Sequence, residues 1–452
     1  MKIQISDSFT YGKLLRFTFP SIIMMVFTSI YVVVDGFFVS NFVGKSQFTA
    51  VNFIMPFLMI LGAIGFMFGT GGSAIVAKTM GESKPEKAKE QFSLFVYTSA
   101  VCGIIISVLG IILIRPTAVL LGADSEILEH CVVYGRVILI ALPFYILQYE
   151  FQSFFIAAGK PQLGLTTTVV SGVTNMVLDF LLIKVFSLGL VGAAAATAMS
   201  QFIGGVIPLI YFGRENSSTL RLKRTKFSKR TILNACINGS SELMSNISMS
   251  LVGMLYNRQL IRYAGNDGVA AYGVLMYVNF AFLSAFIGYS VGTAPVISYH
   301  YGAGNSGEIK SILGKSYRII AVFAIIMFSA AELLGGTVAK IFVSYDADLL
   351  ALTKRGFLIY SFSFLFSGIS IFGSGFFTAL NNGLISALIS FLRTLVFQSV
   401  IVLTLPLLFH IDGIWASVVL AEILSAIITI IFIVKKRSTY HYCCVNNGIL
   451  KG

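Results

Sequence analysis

The chain has 452 residues, of which 56% are hydrophobic and 11% charged, and its formal net charge is +13. Soluble domains carry about 25% charged residues, so a water-solvated globular protein is excluded. The apolar residues come in uninterrupted blocks, not in the alternating ten-residue strands of a membrane β-barrel. The class is all-α and integral to a membrane.

In chain order, twelve apolar windows fall near 17–40, 51–77, 93–114, 131–155, 164–186, 191–213, 235–262, 269–298, 317–339, 356–380, 385–408 and 413–434. Each suffices for a helix, at ~1.5 Å per residue, to cross ~30 Å of hydrocarbon. Met1–Phe19 carries Lys13 and Arg16 and runs directly into the first window, which is not the form of a cleaved leader. The gaps Asn41–Ala50, Ser187–Leu190 and His410–Asp412, each after an odd window, are nearly free of Lys and Arg. Gaps after even windows hold Lys78, Lys84, Lys87 and Lys89, then seven Lys/Arg between Arg214 and Arg230, then Lys310 and Lys315. Lys2, Lys13, Arg16 and Lys435–Arg437 fall on that same side. This asymmetry predicts both termini in the cytoplasm. It makes the positive charge a topology signal facing anionic lipid heads, not a nucleic-acid surface. The cysteines (Cys102, Cys131, Cys236, Cys443, Cys444) lack disulfide-framework spacing, and the vicinal pair is expected as reduced thiols, with lipid anchoring the alternative.

The sequence repeats. A shift of 221 residues aligns Gly44 with Gly265, Ala50 with Ala271, Gly71 with Gly292 and Gly81 with Gly302. It also aligns Lys89 with Lys310, Phe155 with Phe376, Ala158 with Ala379 and Gly192 with Gly413. An even number of spans per repeat gives both copies one orientation, hence two six-helix lobes related by an axis along the membrane normal. The expected organisation is an N-lobe (1–213), a basic linker (214–231), a C-lobe (232–434) and a tail (435–452).

Charge inside a span costs about 2.5–3.5 kcal/mol on insertion scales, so polar residues there are the candidates. Asp35 lies late in the first span with Tyr31 one turn before it. Asn175 and Asp179 share a face of the fifth span at i, i+4 spacing, and Thr197 lies in the small-residue sixth span. Together they form an oxygen-rich set suited to a hard cation such as Na⁺ or to a proton shared between two acids. The competing reading has the acids snorkelling or capping helices. Pro20, fifteen residues before Asp35, removes a backbone donor and should bend or loosen the first helix.

The two-lobe plan with Pro20, Asp35, Asn175, Asp179 and Thr197 resembles the multidrug and toxic compound extrusion (MATE) antiporters over essentially the whole chain. In its DinF-like branch the N-lobe binds the coupling Na⁺ or H⁺, which the resemblance carries to Asp35, Asn175, Asp179 and Thr197. Tyr31 and Tyr134 match that branch's cavity tyrosines, and Pro20 its bending first helix. The resemblance further implies a monomer in the cytoplasmic membrane of a bacterium. The NorM-type C-lobe site is missing: the tenth span has no carboxylate, and Glu242 is expected near the start of the seventh. Asp35 and Thr197 are replaced by Tyr256 and Val418 in the second repeat.

Of the remaining polar residues, Glu150, beside Gln148 and Gln152, is expected either at an inward cavity mouth or at a helix-end interface. Arg393 and Gln398, with Glu422, are expected to pair structurally in the C-lobe, and Arg258 and Arg262 to close the seventh span at the outer interface. No Walker motif or catalytic His/Cys/Asp grouping is present, so neither direct ATP use nor an enzyme is expected, and no cofactor beyond the coupling ion. The reading is a secondary antiporter exporting amphiphilic, cationic organic compounds by alternating access. The alternative is a lipid-linked oligosaccharide or polyisoprenoid flippase, which needs basic residues such as Arg393 free in the central cavity.

Overall fold

The computed structural model describes residues 3–344 and 346–442. Lys2 and the Cys443–Cys444 pair lie outside the described residues. Every regular element among those described is helical. Eleven segments are long and apolar enough to cross a membrane. One of them, Lys229–Gly302, spans 74 residues and breaks at Gly265, where φ is 60° and ψ −149°. Glycine enters that region without the Cβ clash of other residues, so this segment is two helices and the total among the described residues is twelve.

We label them α1 (Tyr11–Phe42), α2 (Lys45–Gly81), α3 (Pro85–Leu120), α4 (Ser125–Ala157), α5 (Pro161–Leu178, continued by a π-helical stretch Asp179–Val185) and α6 (Gly189–Gly213). The second set is α7 (229–264), α8 (266–302), α9 (Ser306–Val343), α10 (Ala347–Ala379), α11 (Gly383–Thr404, π-helical over Leu392–Phe397) and α12 (Pro406–Lys436, whose first turn breaks from the rest at His410, φ 51° and ψ −129°). Most helices overrun the hydropathy windows. Polar starts such as Tyr11–Arg16 and Lys229–Arg230 are fully helical, yet a window average stops where charge begins. Thr10 accepts a bond from Lys13 N and Ser228 from Thr231 N, capping the two lobe-opening helices alike.

Loops holding Lys84, Lys223 and the chain's described ends lie at one end of the bundle, the basic end. There the lobes meet. A Cβ on Gly81 would lie 2.0 Å from Tyr299 O, and one on Gly302 2.0 Å from Lys78 O, so α2 and α8 touch backbone to backbone. These two glycines are the symmetry-related pair of the repeat. Gly239 of α7 sits as closely on Met67 O, and Asn238 Nδ2 donates to Gly71 O of the opposite lobe at 3.2 Å. In lipid, where the surroundings are as apolar as the helices, such close approach holds helices together by packing and polar contacts.

The apolar clusters mark where the lobes part. One joins Phe9, Phe17 and Met24 to Phe286, Val296, Ile320 and Phe372 across the lobes. At the far end the clusters separate: Val39, Ile54 and Leu139 belong to one lobe alone, Tyr256, Leu260 and Trp415 to the other. The lobes therefore diverge away from the basic end and leave a cleft between them.

Two segments strap the closed end. Before α1, Phe9 N donates to Glu308 Oε1 (2.8 Å), Lys315 Nζ donates to Phe9 O, and Arg318 donates to Tyr11 Oη (2.7 Å). Before α7, Lys223 N donates to Ser93 Oγ (2.9 Å) and its ammonium pairs with Glu86 and Glu90. That pairing raises the Lys223 pKa. Each strap thus leads into the first helix of one lobe while gripping the third helix of the other.

Candidate functional site

Asp35 stands 24 residues into α1, about 36 Å along it at 1.5 Å per residue. It is half-buried and faces α5 and α6 of its own lobe. α1 runs helically through Pro20, which is buried. The helix continues on both sides of Pro20, where the proline removes the donor to the Arg16 carbonyl.

α5 and α6 bring the other three residues to Asp35. Thr197 Oγ1 donates to Asp35 Oδ1 at 3.4 Å, and Asn175 Nδ2 donates to Thr197 Oγ1 at 3.5 Å. Both bonds are long and therefore weak. Asp179 faces Asp35 with its side chain fully buried. Neither Asp179 oxygen has a hydrogen-bond partner, nor does Asn175 Oδ1. Asp179 also opens the π-helical stretch, in which backbone bonds reach one residue farther; Phe186 N, for example, bonds to Leu181 O. Such wide turns recur at functional sites because they re-aim side chains at little cost.

Buried polar oxygens are almost always paired. Here three buried acceptors go without a donor, and two carboxylates face each other at membrane depth. A Na⁺ ion or a shared proton satisfies both conditions: it supplies what the oxygens lack and removes the mutual repulsion. The donor set consists of carboxylate, amide and hydroxyl oxygens, which suits a hard cation.

Aromatic residues line the approach. Tyr31 contacts Tyr149 through their hydroxyls, and Tyr149 contacts Tyr145 in the same way. Phe66 lies 4.0 Å, centroid to centroid, from Tyr149. Tyr134 is buried, its hydroxyl near Thr197 and 3.9 Å from Met55 Sδ. Tyr31 and Tyr134 thus flank the acid pair. Tyr145, Tyr149 and Phe66 were not anticipated; the i, i+4 tyrosines of α4 were the one available signal.

The expectation for Glu150, Gln148 and Gln152 is corrected. Residues 148 and 152 share a face, and residue 150 is turned roughly 200° away at 100° per residue. Gln148 donates to Ser171 Oγ (3.2 Å) and Gln152 to Thr168 Oγ1 (3.3 Å), in a crevice too tight for a water molecule. Glu150 is fully buried beside Ser99 and Gly69, with both oxygens unpartnered. With the basic end closed, all three are buried in this conformation, and none lies at an exposed helix-end interface.

Glu242 is corrected as well. Because α7 starts at residue 229, Glu242 lies 13 residues in, about 20 Å deep, half-buried just above the Gly239–Met67 contact that floors the cleft. In the C-lobe, Arg393 Nε donates to both Glu422 oxygens (3.0 and 2.9 Å) and Nη2 to Oε1 (2.8 Å). Gln398 takes no part in that pair. Arg258 and Arg262 are exposed, and Cys102, Cys131 and Cys236 are free thiols.

A family model described as MatE matches residues 20–181 and again 243–404. The multidrug export protein MepA of Staphylococcus saprophyticus is 27% identical over 440 residues, covering 96% of each chain. That of Staphylococcus haemolyticus is 26% identical over 434 residues, covering 96% of this chain and 95% of the relative. Among solved structures, a multidrug resistance MATE family transporter in an outward-facing conformation superimposes with a TM-score of 0.90 at 21% identity. A MATE structure in a straight conformation does so with 0.90 at 20%. Each structural match covers 96% of this chain and 98% of the other. The double match of one model restates the internal repeat, and the structural likeness fixes the fold.

Proposed function

The chain belongs to the MatE family, and from that premise we propose that it is a multidrug efflux antiporter. It exports amphiphilic, cationic organic compounds by alternating access, in exchange for H⁺ or Na⁺ bound at Asp35, Asn175, Asp179 and Thr197. The basic end faces the cytoplasm, as the Lys/Arg bias of the loops favours. The cleft then opens outward.

The observation that carries this reading is the set of orphaned oxygens on Asp179 and Asn175 opposite Asp35. In the outward state the cation enters from outside and neutralises the acid pair. It drives exchange only through its differential affinity for the two states. Aromatic faces of Tyr31, Tyr145 and Phe66 and the carboxylate of Glu242 suit an organic cation in the cleft. Apolar contact by area permits breadth of substrate. One monovalent cation exchanged for one drug cation moves no net charge, so the membrane potential, about 2.3 kcal/mol per charge at 100 mV, contributes only if two ions enter per drug.

The flippase reading needs a free cation in the central cavity, and Arg393 is neutralised by Glu422. The test is ethidium transport in proteoliposomes under a pH gradient or a Na⁺ gradient alone. Dye movement under one gradient, absent in Asp35→Asn, supports the proposal and names the ion. No dye movement under either gradient, with the protein folded, refutes it.

A further inference from the structure

The two lobes differ at one place that the transport reading does not use. Between α8, α9 and α10 lies a cavity of about 280 Å³ whose lining holds no charged side chain. Its mouth is flanked by Tyr277 and Leu334, each about half exposed, so it opens on the surface turned to the membrane.

The corresponding place in the other lobe is filled. There Ile114 is fully buried against Gly135 and Ile54, in a continuous core. At the 221-residue shift Ile114 becomes Gly335, against which the Phe357 ring packs, and the half-exposed Leu109 becomes Ala330; Gly335 and Ala330 line the cavity. A void of this kind left empty forfeits packing contacts in proportion to its volume. At hydrocarbon depth the available filler is an acyl chain.

Charge stands where a headgroup would be. α9 climbs past the cavity to Lys340 in its last turn, at the end away from the basic loops. Lys354 of α10 is half-buried, its stem against the backbone one residue beyond Gly335: a Cβ on Gly336 would lie 3.8 Å from Lys354 Cε. Neither lysine has an ion-pair partner among the described residues. A long lysine stem can follow the apolar wall and lift its ammonium to a phosphate. Two unpaired positive charges favour a lipid with net negative charge.

We propose that this groove binds an anionic phospholipid of the leaflet away from the basic end, one acyl chain in the cavity and the phosphate on Lys354. The site lies in the lobe without the acid pair.

The chain's single tryptophan provides the test. Trp415 is buried, but its ring lies 3.4 Å from where a Cβ on Gly356 would stand, and the next residue, Phe357, lines the cavity. Bromine on a lipid chain quenches indole fluorescence only at close range. The purified full-length protein is reconstituted with phosphatidylglycerol or phosphatidylcholine carrying brominated acyl chains, diluted into unlabelled lipid. Brominated phosphatidylglycerol should quench Trp415 more strongly than brominated phosphatidylcholine. Ala330→Leu, which restores the bulk the other lobe carries, should lose most of the quenching by both lipids. Lys354→Gln, with Lys340 still present, should keep quenching but lose most of the preference between them. Unchanged dye transport and thermal unfolding establish that each variant is folded. The proposal is overturned by no quenching in the parent, by full quenching in Ala330→Leu, or by an intact preference in Lys354→Gln.

Discussion

The fifth helix of each lobe carries a π-helical stretch, and the two stretches hold opposite chemistry. In the first lobe it begins at Asp179, whose oxygens have no partner. In the second it holds Arg393, locked to Glu422 by three N–O contacts of 3.0 Å or less. At the 221-residue shift, Arg393 and Glu422 correspond to Gly172 and Gln201, while Asp35 and Thr197 correspond to Tyr256 and Val418. Each lobe thus keeps charged groups where its twin has uncharged ones. A closed ion pair offers nothing to a passing cation, whereas an open acid pair offers everything. Duplication supplied one scaffold twice, and the two copies now carry different charged groups.

The sharpest way to break this contrast is to neutralise the open pair. Asp35→Asn or Asp179→Asn should reduce gradient-driven dye transport to background with the protein still folded, measured in proteoliposomes beside a thermal unfolding control. Transport at the parent rate in both would remove the first lobe from the mechanism.

Next in size is the shared feature, the seam between lobes. Gly302→Leu places a side chain on the Lys78 carbonyl, so the basic end cannot close. Transport should fall strongly, and alkylation of Cys236, on α7 beside the seam, should become faster than in the parent.

A change confined to the closed pair should behave differently. Arg393→Gln leaves Glu422 buried without its counter-charge, a loss of about 3–5 kcal/mol for breaking a buried pair. The double replacement Arg393→Gln with Glu422→Gln should regain much of it. Thermal unfolding reads both, and transport per folded molecule should persist in the double variant.

The smallest effect belongs to Thr197→Val. Its two hydrogen bonds measure 3.4 and 3.5 Å, and a net bond is worth about 0.5–1.5 kcal/mol. A few-fold rise in the cation concentration needed for half-maximal transport is expected, with the maximal rate retained.

How far the sequence announces all this depends on the kind of constraint. Twelve helices were legible because each needs its own apolar run in lipid. The 221-residue shift anticipated that Gly81 and Gly302 have equivalent roles. The acid cluster was legible because charge at membrane depth is expensive and therefore rare. Side-chain direction was less so. Gln148, Glu150 and Gln152 read as one patch along the chain, yet helical rotation points the glutamate away from the glutamines. Glu242 was misplaced because a hydropathy window started α7 six residues late. The contacts of Tyr149 with Tyr31, and of Phe9 with Glu308, depend on tertiary packing that no local pattern encodes.

The central claim is that substrate and cation exchange through the open acid pair of the first lobe. The most direct test uses purified protein in weakly buffered detergent solution, preloaded with ²²Na⁺ or held at fixed pH, and titrated with ethidium. The account predicts that dye binding releases protons or ²²Na⁺ in the parent and in the Arg393→Gln, Glu422→Gln double variant, and releases neither in Asp35→Asn. Release that survives in Asp35→Asn but vanishes in the double variant would place the exchange in the second lobe and contradict it.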